Sequence, residues 1–253
     1  MQLSVVIICK DGGPGLEQAL QSVQGLGGEI LVYDSGSSDN SKQIAAGYGA
    51  KILSGTWEGY GRNRWKAVQL ATYDWILMLD TDEAIDEILK ESISRIDLEK
   101  RNVVFNLHYK NYFGNKWLRH GEWGNDSHIR LGNRISVKTD GEVVHEKLFL
   151  QPGIEIKTLT GFVLHHTAKN AEDFARKMML YANLSAEKYL RQGKKAGFLT
   201  LFFSPVFSFI QNYFFKLGFL DGWQGYACAK IMAWYSFLKY ARLKELQEQQ
   251  KSK

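Results

Sequence analysis

The stretch Trp75 to Glu83 reads WILMLDTDE, and its last four residues hold three carboxylates, Asp80, Asp82 and Glu83. Carboxylates this close repel one another, so the arrangement is costly unless a cation sits among them. Hard divalent ions such as Mg²⁺ or Mn²⁺ suit it, because oxygen ligands are the ones they prefer. The residues before, Trp75 to Leu79, are apolar without interruption, which fits a strand buried on both faces. In open α/β sheets ligands bind outside the carboxyl ends of the strands. The competing reading is an acidic turn capping a helix that starts near Asp86.

Two earlier apolar runs end in the same way. Leu3 to Ile8 is β-branched and runs into Cys9, Lys10, Asp11, Gly12 and Gly13, while Glu29 to Tyr33 runs into Asp34, Ser35, Gly36, Ser37, Ser38 and Asp39. Between them Leu16, Ala19, Leu20 and Val23 recur at helical spacing. Lys51 to Leu53 reads as a short third strand, Trp57 to Arg64 as a Gly-rich loop, and Trp65 to Ala71 as a helix feeding the Trp75 strand. Strands alternating with helices predict an α/β fold with a mostly parallel central sheet and right-handed crossovers. Such a topology brings Cys9–Asp11, Asp34–Asp39 and Asp80–Glu83 to one edge. There Asp11 and Asp34 can accept hydrogen bonds from a base edge or a ribose, and the small residues at 35–38 let backbone approach a ligand. A phosphate-loop Lys and GxGxxG are both missing, which counts against dinucleotide redox chemistry.

Further on, an amphipathic helix is expected from Glu83 to about Ile96, then a strand from Val103 to Tyr109. Tyr112 to Glu146 is rich in Trp, Gly, His and Arg and reads as short antiparallel strands. Ile154 to Leu164 reads as a strand that ends at the pair His165 and His166, for which packing is the commoner role than metal binding. From Ala171 the pattern turns helical, with Phe174, Met178, Tyr181 and Ser185 at helical spacing and a last helix over Gly225 to Gln249. The two cysteines, Cys9 and Cys228, are far apart, so no disulfide framework is expected and a reducing compartment fits. The run Leu3 to Ile8 lacks the basic start and cleavage site of a signal peptide.

Charge is unevenly spread. Residues 1–168 hold 18 Lys and Arg against 21 Asp and Glu, and residues 169–253 hold 14 against 6. Phe198 to Tyr240 contains 15 aromatic residues in 43, with Lys194, Lys195, Lys216, Lys230, Lys239, Arg242 and Lys244 around them. Aromatic and apolar residues flanked by cations fit helices lying in a membrane interface. No run reaches 18 uninterrupted apolar residues, and Pro205, Gln211 and Asn212 interrupt the aromatic one. The expectation is therefore a broken segment on the bilayer surface with no transmembrane helix.

SVVIICKDG at 4–12, LVYDSGSSDNS at 31–41 and DWILMLDTDE at 74–83, in that order and spacing, resemble the inverting family 2 glycosyltransferases of the GT-A fold. WGNDSHIRL at 123–131, VVHEKL at 143–148 and GFLDGWQGY at 218–226 resemble the bacterial branch that builds the lipopolysaccharide inner core. The resemblance implies a GT-A, nucleotide-diphospho-sugar transferase fold over 1–165 with a helical appendage over 166–253. It implies a nucleotide-sugar site at Ile8, Lys10, Asp11, Asp34, Gly36, Asp80, Thr81 and Arg130, with Asp39 bracing its loop. Either Arg62 or Arg64 would face the diphosphate. Asp82 of the DXD motif would bind Mg²⁺ or Mn²⁺, with Asp80 and His145 as further ligands. The general base would be Glu146, with Asp126 as runner-up and an ion pair to Lys147 or Arg134 as the competing role for Glu146.

The resulting expectation is an inverting hexosyltransferase, peripheral on the cytoplasmic face of the cell membrane. It would use a UDP-sugar donor and a lipopolysaccharide-core or other lipid-linked glycan acceptor. The oligomeric state stays open. The alternatives are a nucleotidyltransferase using Mg²⁺ at the same carboxylates and a nucleic-acid binder acting through the basic tail. The tail carries no nucleic-acid motif, and its aromatic run is too apolar for a solvated phosphate-binding surface.

Overall fold

The computed structural model describes residues 1–139 and 148–251. It divides into two compact units, one made of Met1–Tyr109 with Ser127–His166, the other of Lys110–Asp126 with Thr167–Lys253.

The first unit opens with β1 (Leu3–Cys9), α1 (Gly13–Ser22), β2 (Glu29–Asp34), α2 (Ser41–Gly47), β3 (Lys51–Ser54), α3 (Tyr60–Leu70) and β4 (Trp75–Asp80). Every residue of β1 is buried, because the strand is central and covered on both faces. Alternation splits its side chains. Leu3, Val5, Ile7 and Cys9 pack with Leu16, Ala19, Leu20 and Val23 of α1. Val6 and Ile8 pack on the other face with Ala67 and Val68 of α3 and with Leu31 and Ile76. The strands β2, β1 and β4 run parallel in a register that sets Cys9 beside Asp34 and Ile8 beside Asp80.

After β4 the helix starts near Asp86, as the capping reading has it, and not directly after Glu83. Glu83–Ile85 is a short strand, β5, and the helix α4 covers only Glu87–Ser94, with the Asp86 carboxylate accepting the Leu89 N–H at 2.9 Å as its cap. There follow β6 (Val103–Phe113), β7 (Lys116–Trp117), β8 (Ser127–Asn133), β9 (Val137–Thr139), β10 (Leu148–Leu150) and β11 (Glu155–Ala168). The sheet order is β3-β2-β1-β4-β8-β6-β11-β5, with β7 on β6 and a separate β9–β10 pair. The β1–β4 half is parallel, whereas β4–β8, β6–β8 and β11–β5 are antiparallel. The α/β fold is as expected; of the antiparallel strands in the large sheet, β7 and β8 come from the Trp- and Gly-rich middle of the chain, whereas β5, most of β6 and β11 lie outside it.

The strand β11 extends past the expected end at Leu164, so His165 and His166 are consecutive residues inside a strand. Their side chains therefore point to opposite faces, and they cannot act as two ligands on one ion.

In the second unit, α5 (Ala171–Arg191) is capped by Asn170 and buries Phe174, Met178, Ala182 and Ser185. Phe113, Leu118, Trp123, Phe174, Met178 and Cys228 form a core of their own. Asp221 is buried and ties this unit together, accepting the N–H groups of Arg119 at 3.0 Å and His120 at 2.8 Å. The aromatic segment is not broken. The helix α6 (Phe198–Ile210) carries Pro205 inside it and continues into a π-helical turn, Gln211–Phe215, before the final helix α7 (Gly222–Lys251). Pro205 removes the backbone donor that would reach the Leu201 carbonyl, yet the helix runs on through it; at the junction with the π-helical turn the Asn212 side-chain amide donates to the Ser208 carbonyl at 3.0 Å. The polar residues lie within the helical segment and do not end it. By length and composition alone, Phe198–Phe215 is long and apolar enough to cross a membrane.

Candidate active site

Three loops meet at the carboxyl ends of β1, β2 and β4 and hold one another in place. The Asp34 carboxylate closes its own turn, accepting the N–H groups of Gly36 at 3.2 Å and Ser37 at 3.3 Å, with Lys42 at 3.3 Å. Burial works against its charge, but these donors outweigh it and keep the carboxyl below its usual range. Asp11, at φ +53, accepts from the Ser38 N–H at 2.7 Å, the Ser38 hydroxyl at 3.0 Å and the Asp39 N–H at 3.3 Å. Asp39 reaches back to the Gly13 N–H at 3.0 Å, the bracing role expected of it. Gly36 has φ +90 and open space where a side chain would stand, so its backbone is approachable from outside. Lys10 is exposed and Ile8 is buried in the sheet beneath the loop.

On β4 the three carboxylates are separated by environment. Asp80 is clamped by Arg64 at 2.7 and 3.0 Å and touched by Arg130 at 3.4 Å. Burial raises its pKa, yet the two guanidiniums overcome that and hold the carboxyl below the usual range. Glu83 points inward from β5, accepting the Asp80 N–H at 2.9 Å and facing Arg130 at 3.2 Å. Here burial wins over Arg130 and the carboxyl is pushed up. Arg130 also donates to the Tyr109 hydroxyl at 2.9 Å. Of the two arginines weighed on α3, Arg64 is the buried one at Asp80, whereas Arg62 is exposed. Mutual repulsion is thus relieved by the protein's own cations and gives by itself no reason for a metal.

Asp82 differs, with its side chain about a third exposed, at 35%. His165 Nε2 lies 3.4 Å from its carboxylate, and the Asp82 carbonyl accepts the His166 N–H at 2.9 Å. Among the described residues no group of three or more His, Cys, Asp or Glu is placed to hold a metal. One partly exposed carboxylate with an imidazole beside it still fits Mg²⁺ or Mn²⁺, which take one or two protein carboxylates and fill the rest of their shell with water and substrate phosphate. Thr81, between the two aspartates, is packed under α1, and its carbonyl leaves no room for a Cβ at Gly15.

His145 and Glu146 lie outside the described residues. Asp126, in the second unit, accepts from the Asn111 amide at 3.0 Å. Arg134, weighed as a partner for Glu146, pairs with Asp74 at 2.7 Å. Sequence reasoning passed over two groups of the site. Asn63, fully buried on α3, donates to Ser35 at 2.6 Å and to the Thr56 carbonyl at 3.0 Å, stitching two of the loops. Its signal was a polar residue on the same helical face as Ala67 and Val68. Tyr109, the partner of Arg130, carried no signal beyond lying at a strand's end.

Residues 4–155 match the family described as glycosyl transferase family 2. The chain is 26% identical to an uncharacterized glycosyltransferase of Rickettsia bellii (strain RML369-C), over 97% of this chain and 87% of that protein. It is 25% identical to the lipopolysaccharide core biosynthesis glycosyltransferase LpsC of Rhizobium meliloti (strain 1021), over 96% and 92%. Among solved structures it is similar to residues 1–349 of S. aureus TarS in complex with UDP, at 17% identity and a TM-score of 0.48, over 99% of this chain and 92% of that one. Glucosyl-3-phosphoglycerate synthase from Mycobacterium tuberculosis, crystallised with Mn²⁺, UDP-glucose and glycerol 3-phosphate, gives 14% identity and a TM-score of 0.48, over 76% and 80%.

Proposed function

This chain belongs to glycosyl transferase family 2 and is a transferase enzyme, and we propose that it moves a hexose, with inversion, from a nucleotide-diphosphate sugar to a lipid-linked acceptor. The observation that carries the reading is the division of labour after β4, with Asp80 held by arginines and Asp82 partly exposed to solvent beside His165. UDP-hexose is the donor to test first. The name of LpsC, at 25% identity, supports a lipopolysaccharide-core sugar as acceptor. Work at the cytoplasmic face of the membrane, as a peripheral protein, belongs to the same proposal. With the family known, the nucleotidyltransferase alternative loses its ground.

In this mechanism the loops after β1 and β2 receive the nucleoside, with Asp11 and Asp34 as acceptors for base and ribose and Gly36 letting backbone come close. Arg64 keeps Asp80 ionised and fixed at the mouth of the site. Asp82, with His165 beside it, would hold a divalent cation, which when bound would neutralise the charge that grows on the leaving diphosphate. Glu146 takes the proton from the acceptor hydroxyl as its oxygen attacks the anomeric carbon, and the nucleoside diphosphate leaves from the opposite side. Asp126 is the second choice for this base.

A thermal-shift screen of nucleotide sugars with and without Mn²⁺ tests the reading, because a ligand that binds only the folded state raises the melting point. A UDP-hexose should raise it further when Mn²⁺ is present, and Asp82→Ala should remove that increment without lowering the melting point of the free protein. No response to any nucleotide sugar would defeat the proposal. Glu146→Gln should keep donor binding and lose turnover by a factor on the order of 10²; wild-type turnover would transfer the role to Asp126.

A further inference from the structure

The helix α6 with its π-helical extension turns its most apolar side outward. The less exposed side mixes Ser204, Ser208 and Asn212 with Leu201 and Phe209, whereas Phe198, Phe202, Phe203, Phe207, Phe214 and Phe215 on the outer side are each more than half exposed. With the exposed Leu199, Val206 and Ile210 the series runs 198, 202, 206, 210 and 199, 203, 207, so the exposed side is one continuous apolar stripe along the helix. No residue of α6 is buried. A helix on the surface of a water-soluble unit carries the opposite polarity, and an exposed apolar patch of this extent marks an interaction site.

What covers the stripe is indicated by charge. From Lys188 to Leu220 there is no acidic residue, and Arg191, Lys194, Lys195 and Lys216 border the segment. An isologous contact between two copies would bring these like charges together, whereas an anionic lipid surface complements them. The packing of α6 also indicates its orientation. The Lys230 ammonium of α7 lies 4.7 Å from the Phe209 ring on the inner side of α6, and Lys239 and Arg242 follow along α7. Inserting α6 across the hydrocarbon would drag these cations in with it, at a cost that a flat placement avoids.

We propose that α6 is an in-plane membrane anchor, lying along the surface of an anionic bilayer with its phenylalanine stripe sunk at the headgroup–acyl boundary and its serine side on α7. This rests on the peripheral-membrane part of the proposed function and deepens it by naming the segment and the lipid class; the two fail separately, since vesicle binding needs neither donor nor acceptor.

The full chain should co-float with vesicles of phosphatidylcholine and phosphatidylglycerol at 7:3 and bind pure phosphatidylcholine more weakly. The double variant Phe202→Asp/Phe207→Asp should lose at least tenfold in vesicle affinity at an unchanged melting point. Should that variant fail to fold, Lys194→Gln/Lys195→Gln serves instead and should weaken anionic binding by about fivefold per lysine. A wild-type chain that ignores anionic vesicles overturns the proposal, as does a variant that binds like wild type. A concentration-dependent dimer in light scattering that the Phe202/Phe207 variant abolishes, without vesicle binding by the wild type, would assign the stripe to a second copy. Orientation is read from fluorophores on Leu199→Cys and Phe215→Cys, which label selectively because both native thiols are buried. Equal quenching at both ends by a shallow lipid quencher is expected, and strongly unequal quenching overturns the in-plane geometry.

Discussion

At Asp80 and Glu83 the protein places two carboxylates against two guanidiniums with little water between them. A unit charge pair at 4 Å is worth about 4 kcal/mol at an effective dielectric of 20, comparable to the desolvation each ion suffers, so the pairs matter chiefly when one partner is removed. Loss of one member of a buried pair costs about 3–5 kcal/mol. Arg130→Met should therefore destabilise the protein by about 3 kcal/mol in urea unfolding, and adding Glu83→Gln should recover part of that loss. The pH dependence separates this from a simple packing defect. Burial already raises the folded Glu83 pKa above its ordinary 4.5, and without Arg130 it should rise further. The folded variant then keeps its proton where folded wild type has released it, so the deficit against wild type should widen as pH rises past the raised pKa of wild-type Glu83. A deficit that does not vary with pH would show that Glu83 does not depend on Arg130.

At the scale of elements, the β4 turn depends on how closely α1 approaches it. A Cβ at Gly15 would stand 2.7 Å from the Thr81 carbonyl oxygen, inside any real contact distance. In a helix, Gly→Ala ordinarily stabilises by roughly 0.5–1 kcal/mol. Gly15→Ala should do the reverse, lowering the melting point and, through Thr81, disturbing Asp82 and transfer activity. Gly47→Ala is the control, since Gly47 lies in α2 with nothing within 4 Å of the added methyl, and it should leave stability equal or slightly raised. If both variants behave alike, close packing of α1 on the turn is not what positions Asp82.

For the whole molecule, the two units carry one thiol each, and both are buried. Burial raises the Cys9 thiol and pushes Cys228 up to about 12. Neither should react with iodoacetamide at neutral pH until urea unfolds its own unit, so following the two labels separately reports each core; rapid labelling of either thiol in the native protein would contradict its burial. The sign of the linkage follows. Above the ordinary thiol pKa of 9.0 the unfolded chain gives up the Cys228 proton while the folded chain keeps it, so stability should fall as pH climbs from 9 toward 12.

Local pattern determined a good deal of this. The runs ending at Cys9, Asp34 and Asp80 read directly as parallel strands with acidic ends, because burial on both faces demands unbroken apolar residues and the family's motifs sit where those runs stop. The same short-range logic misjudged α6, since counting uninterrupted apolar residues ignores that Ser204, Ser208 and Asn212 share one face. It could not see that Glu83 turns inward, that His165 and His166 part company, or that Asp80 is met by Arg64 and Arg130 from 16 and 50 residues away. Those outcomes were decided only by the tertiary structure. Strand register and helix packing choose which distant charges meet, and the strength of each pairing depends on the water that the assembled fold excludes.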